Sequence, residues 1–449
     1  MARPPPRFGV KFRALLVSAR TKAVLCSSQA EMRRGNMRRI GRLTLITVGA
    51  VAVLIVTGAS ADTLRFVTVT AGADHSCALT DRGDAYCWGA NEFGQLGNGE
   101  ADSVPHTKPV RVSGGLKFTT LVAGLTYTCG MTRDGAVFCW GANDSAQLGD
   151  GTVKNSVTPV RVATDIKFKA IGPGGSHTCA VSLDSVGYCW GGNWHGQLGV
   201  GDRDGDTAAP CCSRMPKPIR TELRFRTVIA GGIDSCGVSL DGKAYCWGSP
   251  QEGRLGTGAA DAANKSADKT VPTAVVGDLL FATVTPRWNT CGLSSTGTAF
   301  CWGAAGVHGV LGSGNTIEAD FVPVPVRVSM NADLKTITVG PFHNCALTRD
   351  GVAYCWGENT DGELGDGTTR DAPVPRQVAT SRRFIAIAAG GNALVAKPGD
   401  VKTWGFTCGV TTDAGVLCWG DNRHGALGNG STGRVLTPVP ISDPTETTR

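Results

Sequence analysis

Charged residues make up only 18% of this 449-residue chain and aromatic residues 6%. A long helical protein would carry more charge on its solvated faces, and no stretch shows helical periodicity of useful length. The apolar run at residues 43–58 stops at 16 residues, short of the roughly 20 that cross a bilayer as a helix. The chain has no H-E-x-x-H, no nucleophile elbow, no Walker loop and no pair of carboxylates that can be placed on one surface. The usual sequence marks of zinc proteases, serine hydrolases, nucleotide phosphotransferases and glycosidases are therefore missing. No catalytic set, cofactor or metal site is expected.

What is abundant is glycine, at 62 residues, and its distribution excludes collagen because it does not recur at every third position. So many tight-turn residues point to an all-β chain. The net charge of +7 is also misleading until it is located. Residues 1–61 hold eleven Lys or Arg against one acid, Glu31, which leaves 33 basic and 36 acidic residues in 62–449. The body is close to neutral, so nucleic acid is not an expected partner.

The front of the chain reads as an export signal. Met37-Arg38-Arg39-Ile40-Gly41-Arg42 is cationic, the apolar run follows, and Ala59-Ser60-Ala61 supplies small residues for cleavage. We expect residues 37–61 to be a signal peptide. Residues 1–36 read as a basic leader upstream of the true start, and 62–449 as the mature domain, without a membrane span.

The mature sequence repeats. Fourteen of the 17 cysteines form seven pairs with nine residues between partners: Cys77 and Cys87, Cys129 and Cys139, Cys179 and Cys189, Cys236 and Cys246, Cys291 and Cys301, Cys345 and Cys355, Cys408 and Cys418. Around each pair recur an apolar RFVTVTAG-like run, a YCWG-like step, a GQLGNG-like loop and a closing PVRV-like run. The first unit offers four short strands near residues 65–70, 76–80, 84–88 and 109–112. One such sheet cannot bury both faces, whereas a radial stack can. The fold class expected is a seven-bladed β-propeller of four-stranded antiparallel blades.

A three-residue hairpin loop centred on residues such as Asp134 sets paired cysteines opposite one another, at a separation a disulfide accepts. Glycine follows the central residue in five of seven loops, with Ser185 and Ala414 as the exceptions. Seven intra-hairpin disulfides are expected, and with them an oxidising compartment. The spacing does not fit a zinc site. Cys211 and Cys212 lie outside the repeat, and the sequence does not assign them.

The recurring YCWGxNxxGQLGxG, as in residues 71–99 and 345–367, resembles the regulator of chromosome condensation repeat family over essentially all of 62–449. That resemblance implies seven blades of four strands. The family includes a nuclear guanine-nucleotide exchange factor, a plant ultraviolet-B photoreceptor and a secreted bacterial β-lactamase inhibitor. Paired cysteines and an export signal set this chain apart from the first, and it lacks the Gly-Trp-Arg-His-Thr motif of the second. The secreted inhibitor is the nearer functional analogue.

Two rings of equivalent positions are candidate sites. Two residues before the first cysteine stand His75, Tyr127, His177, Asp234, Asn289, His343 and Phe406. The family pattern places histidine there, so a bond that fixes the turn is the expected role. The position behind the CWG step varies: Phe93, Ser145, His195, Gln251, His308, Asp361 and His424, with Trp194 and Arg423 adjacent. Residues that the fold does not dictate are free for recognition, so Phe93, Trp194, His195, His308, Arg423 and His424 form the candidate binding face. The CWG tryptophans are expected to pack between blades. The G-x-G-x-x-G string at Gly428 lies in a repeat loop with no following helix and carries no nucleotide reading.

Three expanded segments, 201–218, 258–269 and 392–405, are further leads, expected as loops. The function expected is an exported, monomeric, non-catalytic module that binds an unidentified protein or extracellular ligand. The alternatives are an exchange factor for a small GTPase, or an extracellular enzyme at the channel mouth.

Overall fold

Each repeat unit folds as a meander because its β-branched runs are separated by turns that glycine permits. In the first, β1 (Phe66–Ala71), β2 (His75–Thr80), β3 (Ala85–Asn91) and β4 (Asp102–Arg111) pair antiparallel with their chain neighbours. The computed structural model describes residues 64–203, 212–258, 268–305, 308–314, 320–397 and 400–444, with the backbone alone at 394–397, 400 and 401. The expected leader, signal peptide and Cys211 lie outside the described residues. Within these bounds there are seven four-stranded sheets with strands in sequence order, the seven-bladed propeller expected.

Burial falls across each sheet. The second strands of the first, third, fourth and sixth blades are buried throughout, whereas fourth strands are partly exposed. In every blade the register slips near the start of the first strand and again beside the CWG glycine. Such irregularities sharpen the twist of a sheet. β4 begins inside what reads as a polar stretch, because Gly89 pairs with His106 and Asn91 with Asp102.

The cysteines of each hairpin are directly opposed, and all seven pairs are disulfides with Cα atoms 4.0–4.1 Å apart. That separation is slightly shorter than is typical of opposed strand residues. The bridges are wholly buried.

The hairpin loops also fasten the ring. Gly83, Gly135, Gly242, Gly297 and Gly351 hold φ between 78° and 87°, and Ser185 and Ala414 are forced to 69° and 68°. The carbonyl of this residue accepts the backbone N–H that opens the next blade, as from Phe118 to Gly83 at 2.9 Å. The series ends with Phe66 donating to Ala414 at 3.0 Å, which ties the first blade to the last. A left-handed alanine is strained by ~1 kcal/mol or more. Ala414→Gly is expected to raise stability by roughly 0.5–1 kcal/mol, read as a higher urea midpoint at unchanged m-value.

The seven CWG tryptophans are fully buried and serve the blade interfaces. Each indole Nε1–H donates to a loop carbonyl of the preceding blade: Trp140 to Gln95 at 3.0 Å, Trp190 to Gln147 at 3.0 Å, and Trp88 to Ala426 at 2.8 Å across the closure. The ring lies on a glycine with φ near 65°, where a Cβ on Gly428 would come within 2.8 Å of Trp88. The GxLG glycine is therefore required both for its backbone angle and for the absence of a side chain. Trp88→Ala empties a buried site at the seam. It is expected to cost about 4 kcal/mol in urea unfolding at neutral pH.

Candidate binding face

The first strands of all seven blades surround a central cavity of about 760 Å³, to which Thr70, Val122, Ile171, Ile229, Thr285, Thr338 and Ala388 each contribute. Ser145 and Gln251, two members of the variable ring, also line it. The cavity therefore opens on the face that carries that ring. The cystine hairpin loops lie at the opposite ends of the same strands.

The histidines of this ring are structural, but they fasten neighbouring blades where a bond within the turn is expected from the sequence. His75, His177 and His343 are fully buried, and their Nε2 atoms lie 2.9 Å from Thr128 Oγ1, 2.8 Å from Ser235 Oγ and 3.0 Å from Thr407 Oγ1 of the next blade. Each hydroxyl already donates to a loop carbonyl (Gln95, Gln197 and Glu363), so each histidine donates from Nε2, and burial of an Nδ1 without a partner among the described residues keeps the ring neutral. Burial depresses the three pKa values to about 4, 3 and 3. Tyr127 takes the same place with its hydroxyl on the carbonyl of His177 and on Thr178. The Asn289 side chain bonds only Cys291 of its own hairpin among the described residues, Phe406 has no polar side-chain group, and Asp234 stands apart from both. It is buried, neither oxygen has a partner among the described residues, and burial pushes its carboxyl up to about 7.

The candidate face residues fall into two kinds. Phe93 and Trp194 are 37% and 43% exposed, large and apolar in loops held by rigid strands. The others are engaged with acids. His195 Nδ1 lies 3.2 Å from Asp268 Oδ2, His308 Nδ1 2.6 Å from Asp371 Oδ2, and His424 Nδ1 2.9 Å from Asp74 Oδ1. The Asp74 contact raises the His424 pKa, since it favours the charged imidazole. Arg423 Nε bonds Asp421 at 2.8 Å, its Nη2 lies 3.4 Å from Asp361, and its guanidinium sits 5.3 Å over Trp404.

The Arg423 and His424 contacts gather one sector where the last two blades meet the first. Its acids titrate abnormally: Asp361 is raised by burial and by neighbouring Asp421, and Glu363 well above the usual carboxylate range by burial and by Glu358. Glu363 occupies the place of Gln95, Gln147 and Gln197. Its Oε2 accepts the N–H of Asp361 at 2.8 Å as the glutamines accept theirs. Among the described residues no group of three His, Cys, Asp or Glu forms a metal site.

One part of this face differs from its sequence reading, and two others are absent from that reading. Residues 392–405 read as a loop but continue the hairpin of the last blade, with Asn392 opposite Trp404 and Lys397 opposite Asp400. Trp404 is fixed there by its Nε1–H to Asp74 at 2.7 Å. The third part is Arg287 and Trp288 at the cavity mouth, detectable only as a departure from the repeat at AG-x-x-H. Of the other expanded segments, 204–211 and 259–267 lie outside the described residues; Cys212 is buried.

The Regulator of chromosome condensation (RCC1) repeat matches residues 66–95, 118–147 and 334–363 in one form and 82–131, 134–181, 296–347, 350–396 and 413–448 in another. This chain belongs to the RCC1 repeat family. Its similar proteins include the ultraviolet-B receptor UVR8 of Arabidopsis thaliana, 30% identical across 82% of this chain and 68% of that protein. The E3 ubiquitin-protein ligase HERC2 of Homo sapiens is 31% identical across 81% of this chain, but the match spans only 7% of that protein. Among solved structures, Prp20p of Saccharomyces cerevisiae superposes with TM-score 0.64 at 22% identity, covering 77% of this chain and 83% of that one. At that identity the RCC1 likeness establishes the fold alone. The RCC1 matches leave residues 182–295 between them, the part that contains Asp234, Arg287 and two of the expanded segments.

Proposed function

We propose that this RCC1-repeat propeller is an exported, non-catalytic module that binds a protein through the face carrying Phe93, Trp194, His195, His308, Arg423 and His424. The observation that carries the reading is the set of seven buried disulfides, one per blade, which belong in an oxidising compartment. Variable aromatic and arginine side chains on a cross-linked scaffold support it, since interface anchors are of these types and a rigid frame loses little entropy on binding.

The opposite face is the rival surface, because Leu183, Leu240 and Leu280 are 50–65% exposed there. The test captures partners from the native extracellular fraction with the oxidised domain and compares two double variants. Phe93→Ala with Trp194→Ala is expected to lower capture of the specific partner at least tenfold, while Leu183→Ser with Leu240→Ser leaves it unchanged. Loss in the second pair alone would assign binding to the other face. Turnover of a substrate by the domain, abolished by a change at the mouth, would replace the binding reading altogether.

A further inference from the structure

Two positions before the histidine ring stand Ala73, Leu125, Gly175, Gly232, Pro341 and, in the last blade, Trp404, and of these Leu125, Gly175, Gly232 and Pro341 line the cavity. In the fifth blade the position is Arg287. Its Nη2–H donates to the carbonyl of Gly391 in the last blade, 104 residues away, at 2.8 Å. Among the described residues no carboxylate pairs with this guanidinium. Burial alone lowers its pKa, to about 10, so it stays charged at neutral pH. Arg254, the other arginine lining the cavity, is different. Its Nη2 is 2.7 Å from Glu252 and its guanidinium lies 5.6 Å from the Trp288 ring centre.

Arg287 is partly buried at the cavity wall; a half-withdrawn cation without a counter-ion is unfavourable, and a planar guanidinium is shaped to receive a carboxylate through two parallel hydrogen bonds. Trp288, stacked at 5.9 Å on Phe342, stiffens the wall beside it. The cavity of about 760 Å³ has room for a small organic acid or for an acidic side chain reaching in from a docked protein. We propose that the mouth of the central cavity is a carboxylate-binding site, with Arg287 as the residue that holds the anion. The site stands on its own geometry and does not require the partner-binding reading above.

The test is calorimetry on the oxidised domain with sodium succinate, and with a short capped peptide carrying one Glu, against sodium chloride at equal ionic strength. Saturable binding of at least one carboxylate is expected, weakened tenfold or more in Arg287→Gln and by a smaller factor in Arg287→Lys. Unfolding curves of both variants that overlay the parent would show that the loss is local. Binding of free succinate would identify a small-molecule site, and binding of the peptide alone would identify a partner's side chain; either supports the assignment. The proposal is overturned if neither carboxylate binds, or if Arg287→Gln binds as tightly as the parent.

Discussion

Reducing the seven cystines of the purified domain, with the thiols then alkylated, is expected to abolish cooperative unfolding at room temperature. Each bridge closes a loop with a sequence separation of 10. In the chain-entropy model such a loop is worth ~2–3 kcal/mol, so seven amount to on the order of 15 kcal/mol, comparable with the whole stability of an ordinary domain. Because the bridges are buried, reduction needs local opening. In native buffer the cystines should therefore resist a mild reductant for hours, and in moderate urea they should be lost within minutes. Thiol counting against time, beside circular dichroism, measures both. A reduced and alkylated domain that unfolds at the parent's urea midpoint would show that the bridges are stability-neutral.

The second large effect is on acid stability. His75, His177 and His343 are neutral in the fold, with pKa values near 4, 3 and 3, and recover the ordinary 6.5 when unfolded. Between about pH 4 and 6.5 the unfolded chain binds three more protons at these sites, so stability rises with pH there and is lost as pH falls. Asp234, raised to about 7, and Glu363, raised well above 4.5, act in the opposite sense, since the folded state keeps their protons longer. The three histidines outweigh these two acids near pH 5, where the unfolded imidazoles are still almost fully protonated, so stability there rises with pH.

Single substitutions separate these terms. His177→Tyr, which borrows the residue of the second blade, should flatten the slope between pH 5 and 6.5. Glu363→Gln, which restores the residue of the first three blades, should steepen it and stabilise the domain at pH 7. Urea midpoints measured at half-unit intervals decide this. Parallel curves for parent and both variants would contradict the buried-neutral assignment. The exposed hairpin acids Asp134, Asp184, Asp241, Asp350 and Asp413 have lowered pKa values, so their contribution is lost only below about pH 4, outside the window.

Features written into every repeat were legible in the sequence. The even cysteine gap specified both the hairpin and its bridge, because a three-residue loop leaves one way to oppose the two strands. Tryptophan in every unit pointed to a role in the blade interface, whereas histidine, present in three units, reads as fixing its own turn and instead bonds the next blade. The departures were harder to read. Ser185 and Ala414 looked like exceptions to the loop rule, yet the backbone there is the same because the next blade needs their carbonyl. The segment at 392–405 looked like a loop since nothing in one sequence says that Trp404 will meet Asp74, 330 residues earlier. Arg287 is a charge in a ring of small and apolar residues, and only the closed circle shows that most of this ring lines a cavity.

The central claim is that this propeller lives, and binds, where its cysteines are joined. Protein taken from the cells or medium of the organism that makes it, trapped at once with a thiol-blocking reagent and analysed by mass spectrometry, tests that directly. The account predicts that all fourteen hairpin cysteines are found in intra-blade pairs, Cys77 with Cys87 through Cys408 with Cys418. Recovery of those cysteines carrying the blocking reagent would contradict it.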